Sequence, residues 1–214
     1  MKKGLTELVF ILDRSGSMAG LERDTIGGYN SLLLKQKEEE GEAIVTTVLF
    51  DDKYELLHDR INVKGINPIT DKEYFVRGCT ALLDAIGLTI TKTGNALKHT
   101  AEPERPEKVM VVITTDGMEN ASREYGYDKV RAMIEHQKTK YGWEFLFIGA
   151  NIDAVETASK FGISADRAAN YHADSKGTEV LYQAVSETVC KMRKCAEVSD
   201  NWKQSIEEDF ENRK

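Results

Sequence analysis

The sequence predicts an α/β domain whose central strands are covered on both faces, on three observations. The runs Leu8-Val9-Phe10-Ile11-Leu12 and Val109-Met110-Val111-Val112-Ile113 are apolar without alternation, the mark of central strands covered on two faces. Between the strand signals lie stretches with apolar residues at i, i+3, i+4 and i+7, the mark of helices that pack across a sheet. The connections are short, which places strands and helices in regular alternation.

Taken in order, strands are expected over 7–13, 43–50, 54–63, 108–115, 144–150 and 169–172. Helical stripes are Ile26/Tyr29/Leu33, Leu82/Ile86/Ile90/Leu97, Val130/Met133/Ile134 and Leu181/Ala184/Val185/Thr188/Met192. The tight turn Asp51-Asp52-Lys53 makes the second and third strands an antiparallel hairpin at one edge. Its two adjacent acids point apart and do not form a catalytic pair. The stretch 99–106, with two prolines, reads as a surface loop into the fourth strand. The domain is assigned to 1–195 and a charged helical tail to 196–214. Trp202, Ile206 and Phe210 stand four apart in that tail, a stripe suited either to docking on its own domain or to binding a partner.

At 214 residues the chain has the size of one domain, burying roughly 70% of its unfolded surface, so it needs neither disulfide nor metal to fold. The formal charge of −7, from 36 acidic and 29 basic side chains without a basic block, argues against nucleic acid and anionic membranes as partners. The first apolar run is too short for a signal peptide or a membrane span. Cys79, Cys190 and Cys195 show no CxxC or zinc spacing, which with the missing leader signal predicts a reduced, cytoplasmic chain. His58, His99, His136 and His172 share no spacing and no partnered nucleophile, and neither GxSxG, GxxxxGK[ST] nor GxGxxG occurs.

The chemistry concentrates in three loops. The first strand ends in Asp13-Arg14-Ser15-Gly16-Ser17, a carboxylate and two hydroxyls at alternate positions. The fourth ends in Thr114-Thr115-Asp116-Gly117, a carboxylate at the equivalent point. Thr80 precedes the helix that starts near Leu82, where its hydroxyl either caps the helix or joins a metal. Loops at the carboxyl ends of strands form the ligand crevice of open α/β sheets. If strands one and four are neighbours, the two acids repel unless a cation lies between them, and the hydroxyls complete an oxygen-only set suited to Mg²⁺ or Mn²⁺ rather than zinc. Arg14, read as exposed, neutralises two acids poorly. Glu119 and Asn120 either line the rim and tune partner choice or are simply solvated.

Asp13-x-Ser15-x-Ser17, Thr80 and Asp116 together resemble the metal-ion-dependent adhesion site (MIDAS) of von Willebrand factor type A (VWA) domains, here of a stand-alone intracellular type. The resemblance spans roughly 5–193 and implies a doubly wound, mostly parallel central sheet with helices on both faces, strand order 3-2-1-4-5-6 with strand three antiparallel, a Rossmann-like fold. It implies Ser15, Ser17 and Thr80 as direct ligands, with Asp13 and Asp116 binding directly or through water. The resemblance further implies Mg²⁺, or Mn²⁺ or Ca²⁺ in its place, as the cation, with an acidic side chain of a partner protein in its open position. The chain is then a metal-dependent interaction module and no enzyme, an adaptor or assembly subunit, with AAA+ ATPase complexes among the partners of such chains. The alternative is a Mg²⁺-dependent phosphotransferase or phosphoester hydrolase using Asp13, against which count Ser at position 15 and the lack of a lysine in either motif. Cys79 stands where the family commonly has a second glycine, which bears on the geometry of the Thr80 loop, and is expected to be a small buried filler.

Overall fold

The structure, a computed structural model, describes residues 1–194 and 197–213. Its six strands are β1 (Lys2–Asp13), β2 (Glu42–Phe50), β3 (Tyr54–Asn62), β4 (Pro106–Thr115), β5 (Glu144–Gly149) and β6 (Ala168–Asn170). They form one sheet in the order β3-β2-β1-β4-β5-β6, with only β3 antiparallel. The order reverses between β1 and β4, both of which start a crossover there, and this is where an open sheet leaves its crevice.

Helices cover both faces: α1 (Glu22–Glu38), α5 (Ser175–Lys194) and α6 (Gln204–Asn212) one, α2 (Leu82–His99), α3 (Tyr127–Tyr141) and α4 (Ala154–Lys160) the other. β1 shows why its apolar run lacks alternation. Leu8, Phe10 and Leu12 enter the first core, Val9 and Ile11 the second, so successive side chains are buried on opposite faces.

The strands lie close to the expected ranges, with three differences of physical interest. β1 starts five residues early, because Lys2 pairs with Pro106 across an irregularity that the polar Lys3-Gly4 conceals in the sequence. β3 stops at Asn62, whose side chain accepts from Lys64 N and turns the chain into a 3-10 turn. α4 has no counterpart among the expected stripes, since its seven residues bury only Ala154 and Ala158; its available signal was Asp153, which accepts from Glu156 N at 2.8 Å as an N-cap. The stretch 99–106 holds the short turn Glu102–Glu104, and β4 begins at Pro106.

The C-terminal stripe packs on the domain. Trp202 and Ile206 are buried in the first core with Val198, Trp202 Nε1 donates to Asp166 O at 2.7 Å, and the Phe210 ring stacks on His172. The assigned boundary at 195 and residues 196 and 214 lie outside the described residues, as does Cys195; Cys190 is buried on α5. No helix among the described residues is long and apolar enough to cross a membrane.

Candidate metal centre

Asp13 is the last residue of β1, and the β1–β4 register, Leu12 against Thr114, sets Thr115 beside it. Thr115 Oγ1 donates to Asp13 Oδ2 at 2.5 Å, and Ser15 N donates to Oδ1 at 2.7 Å, a local turn closed by the side chain. The carboxyl is 1% exposed. Burial pushes it up to about 6, the charge of Asp116 acts in the same direction, and the hydrogen bonds from Thr115 and Ser15 oppose both.

The hydroxyls come from two loops. Ser15 Oγ lies 3.0 Å from Ser17 Oγ and accepts from Thr80 Oγ1 at 3.0 Å. Gly16 N donates to Gly78 O at 3.1 Å, joining the loops. The left-handed backbone falls on Gly78, with φ +66°, where a Cβ would also meet Asp52 Oδ1 at 2.1 Å. Cys79 has no positive φ, so the missing second glycine costs this loop nothing. The cysteine is exposed and not the buried filler that was expected.

Thr80 does not cap α2. The first-turn N–H of Leu83 donates to Glu119 Oε2 at 2.9 Å and that of Asp84 to Ser122 Oγ at 3.0 Å, so the loop after β4 caps the helix and leaves the Thr80 hydroxyl to the site. Asn120 Oδ1 accepts from Thr80 N at 2.9 Å, and Glu119 Oε1 accepts from Ala121 N and Ser122 N. Glu119, half-buried, and Asn120, exposed, thus also hold the Thr80 loop against the Asp116 loop. Sequence reasoning missed this and the role of Thr115, although a threonine closing an apolar strand next to Asp116 was a signal in plain view.

Arg14 corrects a second expectation. It is fully buried, with Nε 2.9 Å from Asp51 Oδ2 and Nη2 2.6 Å from Glu55 Oε2, and Arg77 Nε completes the group 2.7 Å from Asp51 Oδ2. Its charge is spent in the β2–β3 hairpin corner and is not available to Asp13 or Asp116.

Asp116 is the anomaly. It is 1% exposed, and neither carboxylate oxygen has a hydrogen-bond partner. Burial pushes its carboxyl up, with the nearby Ser17 hydroxyl acting the other way. A buried carboxylate without a partner is costly, and native proteins rarely leave one so. The five residues singled out from the sequence therefore come together: two acids, one unsatisfied, and three hydroxyls. This oxygen-only set fits a hard divalent cation. No group of three or more His, Cys, Asp or Glu that could hold a metal occurs among the described residues. Ser17 is exposed at the mouth, and Met118, 72% exposed, follows directly on the Asp116 loop.

No family model matches the chain, and no curated protein matches it. Solved structures do. A von Willebrand factor type A structure from Catenulispora acidiphila is 12% identical with a TM-score of 0.60, covering 88% of this chain and 43% of its own. Proximal thread matrix protein 1 from the mussel byssus, with a zinc-occupied MIDAS motif, is 14% identical with a TM-score of 0.59, covering 88% of this chain and 46% of its own. The manganese-loaded TRAP protein of Plasmodium vivax is 15% identical with a TM-score of 0.56, covering 84% of this chain and 73% of its own. At these identities the likeness is one of fold: the chain has the Rossmann-like VWA fold. It spans less than half the length of the thread matrix protein and of the Catenulispora chain.

Proposed function

We propose that the chain is a divalent-metal-dependent protein-interaction module in which Asp13, Ser15, Ser17, Thr80 and Asp116 form a complete MIDAS. The observation that carries this reading is Asp116, a buried carboxylate with two unpartnered oxygens beside three clustered hydroxyls. A divalent cation, Mg²⁺ or Mn²⁺ or Ca²⁺, supplies an electrophilic position that an acidic side chain of a partner protein completes. The zinc and manganese in two structures of the same fold support a metal at this place. The chain's own part is preorganisation. Thr115 and the Ser15 N–H fix Asp13, while Asn120 and Glu119 fix the Thr80 loop, so the donors are held before anything binds.

The phosphotransferase reading is weaker on this geometry, because both oxygens of Asp13 already accept hydrogen bonds and the group is buried. The module acts in the cytoplasm as an adaptor or assembly subunit, with an AAA+ ATPase complex as the partner class; nucleic acid and membranes are not its targets, given the charge of −7.

The test has two steps. Saturating Mg²⁺ or Mn²⁺, at a hundred times the dissociation constant, stabilises the wild type by about 2.7 kcal/mol, a rise in Tm of roughly 5–10 °C, without which the chain still folds. Asp116→Asn and Asp13→Ala show no rise. The purified chain is then used as bait in lysate with Mg²⁺, with EDTA, and as Asp13→Ala with Mg²⁺. A protein retained only by the wild type in Mg²⁺ supports the module, and the same proteins in all three lanes overturn it. Phosphate release from a phosphoester, lost in Asp13→Asn, would establish the enzyme instead.

A further inference from the structure

A groove of about 760 Å³ lies between α2 and α3, away from the metal loops. α2 begins beside Thr80, and the groove is lined by its C-terminal half, so the two places sit about 20 Å apart along one helix. The floor is apolar: Ile90 and Trp143 are buried there, and Leu97 and Met133 pack on the second core from its edge. A trough of this size falls within the range of small-molecule sites, about 300–1,000 Å³.

Two features set it apart from a chance gap in packing. The first is charge. Lys98, Arg105 and Lys129 line the groove, none makes an ion pair among the described residues, and Glu102 is the only acid among the lining side chains. Arg105 donates only to the carbonyls of Thr100 and Lys98, and Lys129 lies 3.9 Å from the Tyr125 ring centroid. Three cations without carboxylate partners around one apolar trough run against the balance of a chain carrying −7. The second is Gly94. A glycine inside a helix costs about 1 kcal/mol relative to alanine. Gly87, two turns earlier, has a packing reason, since a Cβ there would fall 2.2 Å from the Tyr125 ring. Gly94 has none: a Cβ would meet only Gln137 Nε2, at 3.7 Å. What its missing side chain does is deepen the groove.

We propose that this groove is a binding site for an elongated amphipathic anion, a carboxylate on a medium-length alkyl chain, with the chain over Ile90, Gly94 and Trp143 and the carboxylate beside Lys98 and Arg105 at the C-terminal end of α2. The neutral or cationic amphiphile of the same length lacks the second half of that fit. The site stands whether or not the metal reading does.

The experiment is calorimetric titration of the full chain with dodecanoate, dodecanol and dodecyltrimethylammonium below their micellar concentrations, with tryptophan emission followed in parallel. Saturable 1:1 binding of dodecanoate is expected, at least tenfold tighter than either of the others, with an emission change that Trp143→Phe removes. Gly94→Leu should weaken dodecanoate at least tenfold by filling the trough. Lys98→Glu should remove the preference over dodecanol. Thermal midpoint and the metal-induced shift, read on each variant, certify the fold independently of the groove. Absence of saturable dodecanoate binding, equal binding of all three amphiphiles, or binding that survives both variants overturns the proposal.

Discussion

Two charged clusters sit side by side at the carboxyl end of the sheet, and consecutive residues of β1 feed them. Asp13 turns toward Asp116 and the three hydroxyls; Arg14 turns into the hairpin corner with Asp51, Glu55 and Arg77. Each has a buried charged pair at its centre, Arg14 with Asp51 in one and Asp13 with Asp116 in the other, yet only one is closed. In the corner every charge has an opposite charge within hydrogen-bond distance, and the arginines also flank the Phe75 ring, each 5.3 Å from its centroid. At the metal loops two acids face each other with no cation, and one has no partner at all. A closed network holds a fold together, whereas an open one of a single sign is stable in the presence of something that brings the other sign.

The corner should therefore respond to mutation as structure. Arg14→Met removes a buried guanidinium from Asp51 and Glu55, and the expected loss is about 3 kcal/mol, moderated because Arg77 still neutralises Asp51. By denaturant titration the loss should be the same in EDTA and in Mg²⁺, with the metal dissociation constant moved less than about threefold. A variant that kept its stability but lost its metal response would dissolve the distinction between the clusters.

The metal loops should respond as a site, and pH separates them from the corner. The Asp13 carboxyl is raised by burial to about 6, above the ~3.8 of an unfolded chain, so the folded state binds the extra proton. Stability from this group is fully present below about pH 4 and is lost as pH rises through 6, amounting to about 3 kcal/mol by neutrality. Asp116 is shifted in the same direction. In EDTA, Asp13→Asn should match the wild type near pH 4 and exceed it increasingly toward pH 7, and Mg²⁺ at pH 7 should erase the gap. A gap that stays constant with pH means that Asp13 is not the strained group.

How much of this was legible in the sequence differs between the two clusters. The strands were visible because burial on two faces leaves a continuous apolar run, as in Val109 to Ile113, and the hairpin because Asp51-Asp52-Lys53 interrupts one. The five site residues were visible because each sits at a loop beginning where a strand ends or a helix starts, in a spacing few other motifs share. What stayed hidden depends on partners far apart in the chain. Nothing local distinguishes a buried Arg14 from an exposed one, because its partners lie 37 and 41 residues on. Glu119 reads as an exposed loop acid until the α2 N-terminus, 36 residues earlier, is seen to need its oxygen. α4 escaped because two alanines make too small a stripe to register.

The smallest expected effect belongs to the residue that joins the two strands of the site. Thr115 Oγ1 donates to Asp13 Oδ2 at 2.5 Å and is fully buried. Thr115→Val keeps the shape and removes the donor, leaving one oxygen of Asp13 unsatisfied in the metal-free protein at a cost of about 1.5 kcal/mol. Metal should bind about tenfold more weakly because Asp13 is no longer oriented beforehand, so that the gap to the wild type widens by about 1.4 kcal/mol in saturating Mg²⁺. Mg²⁺ titration of Thr115→Val, read by thermal midpoint, checks both losses at once. Unchanged metal affinity would mean that the Ser15 N–H alone positions Asp13, and that the open cluster owes its preorganisation to the β1 loop without help from β4.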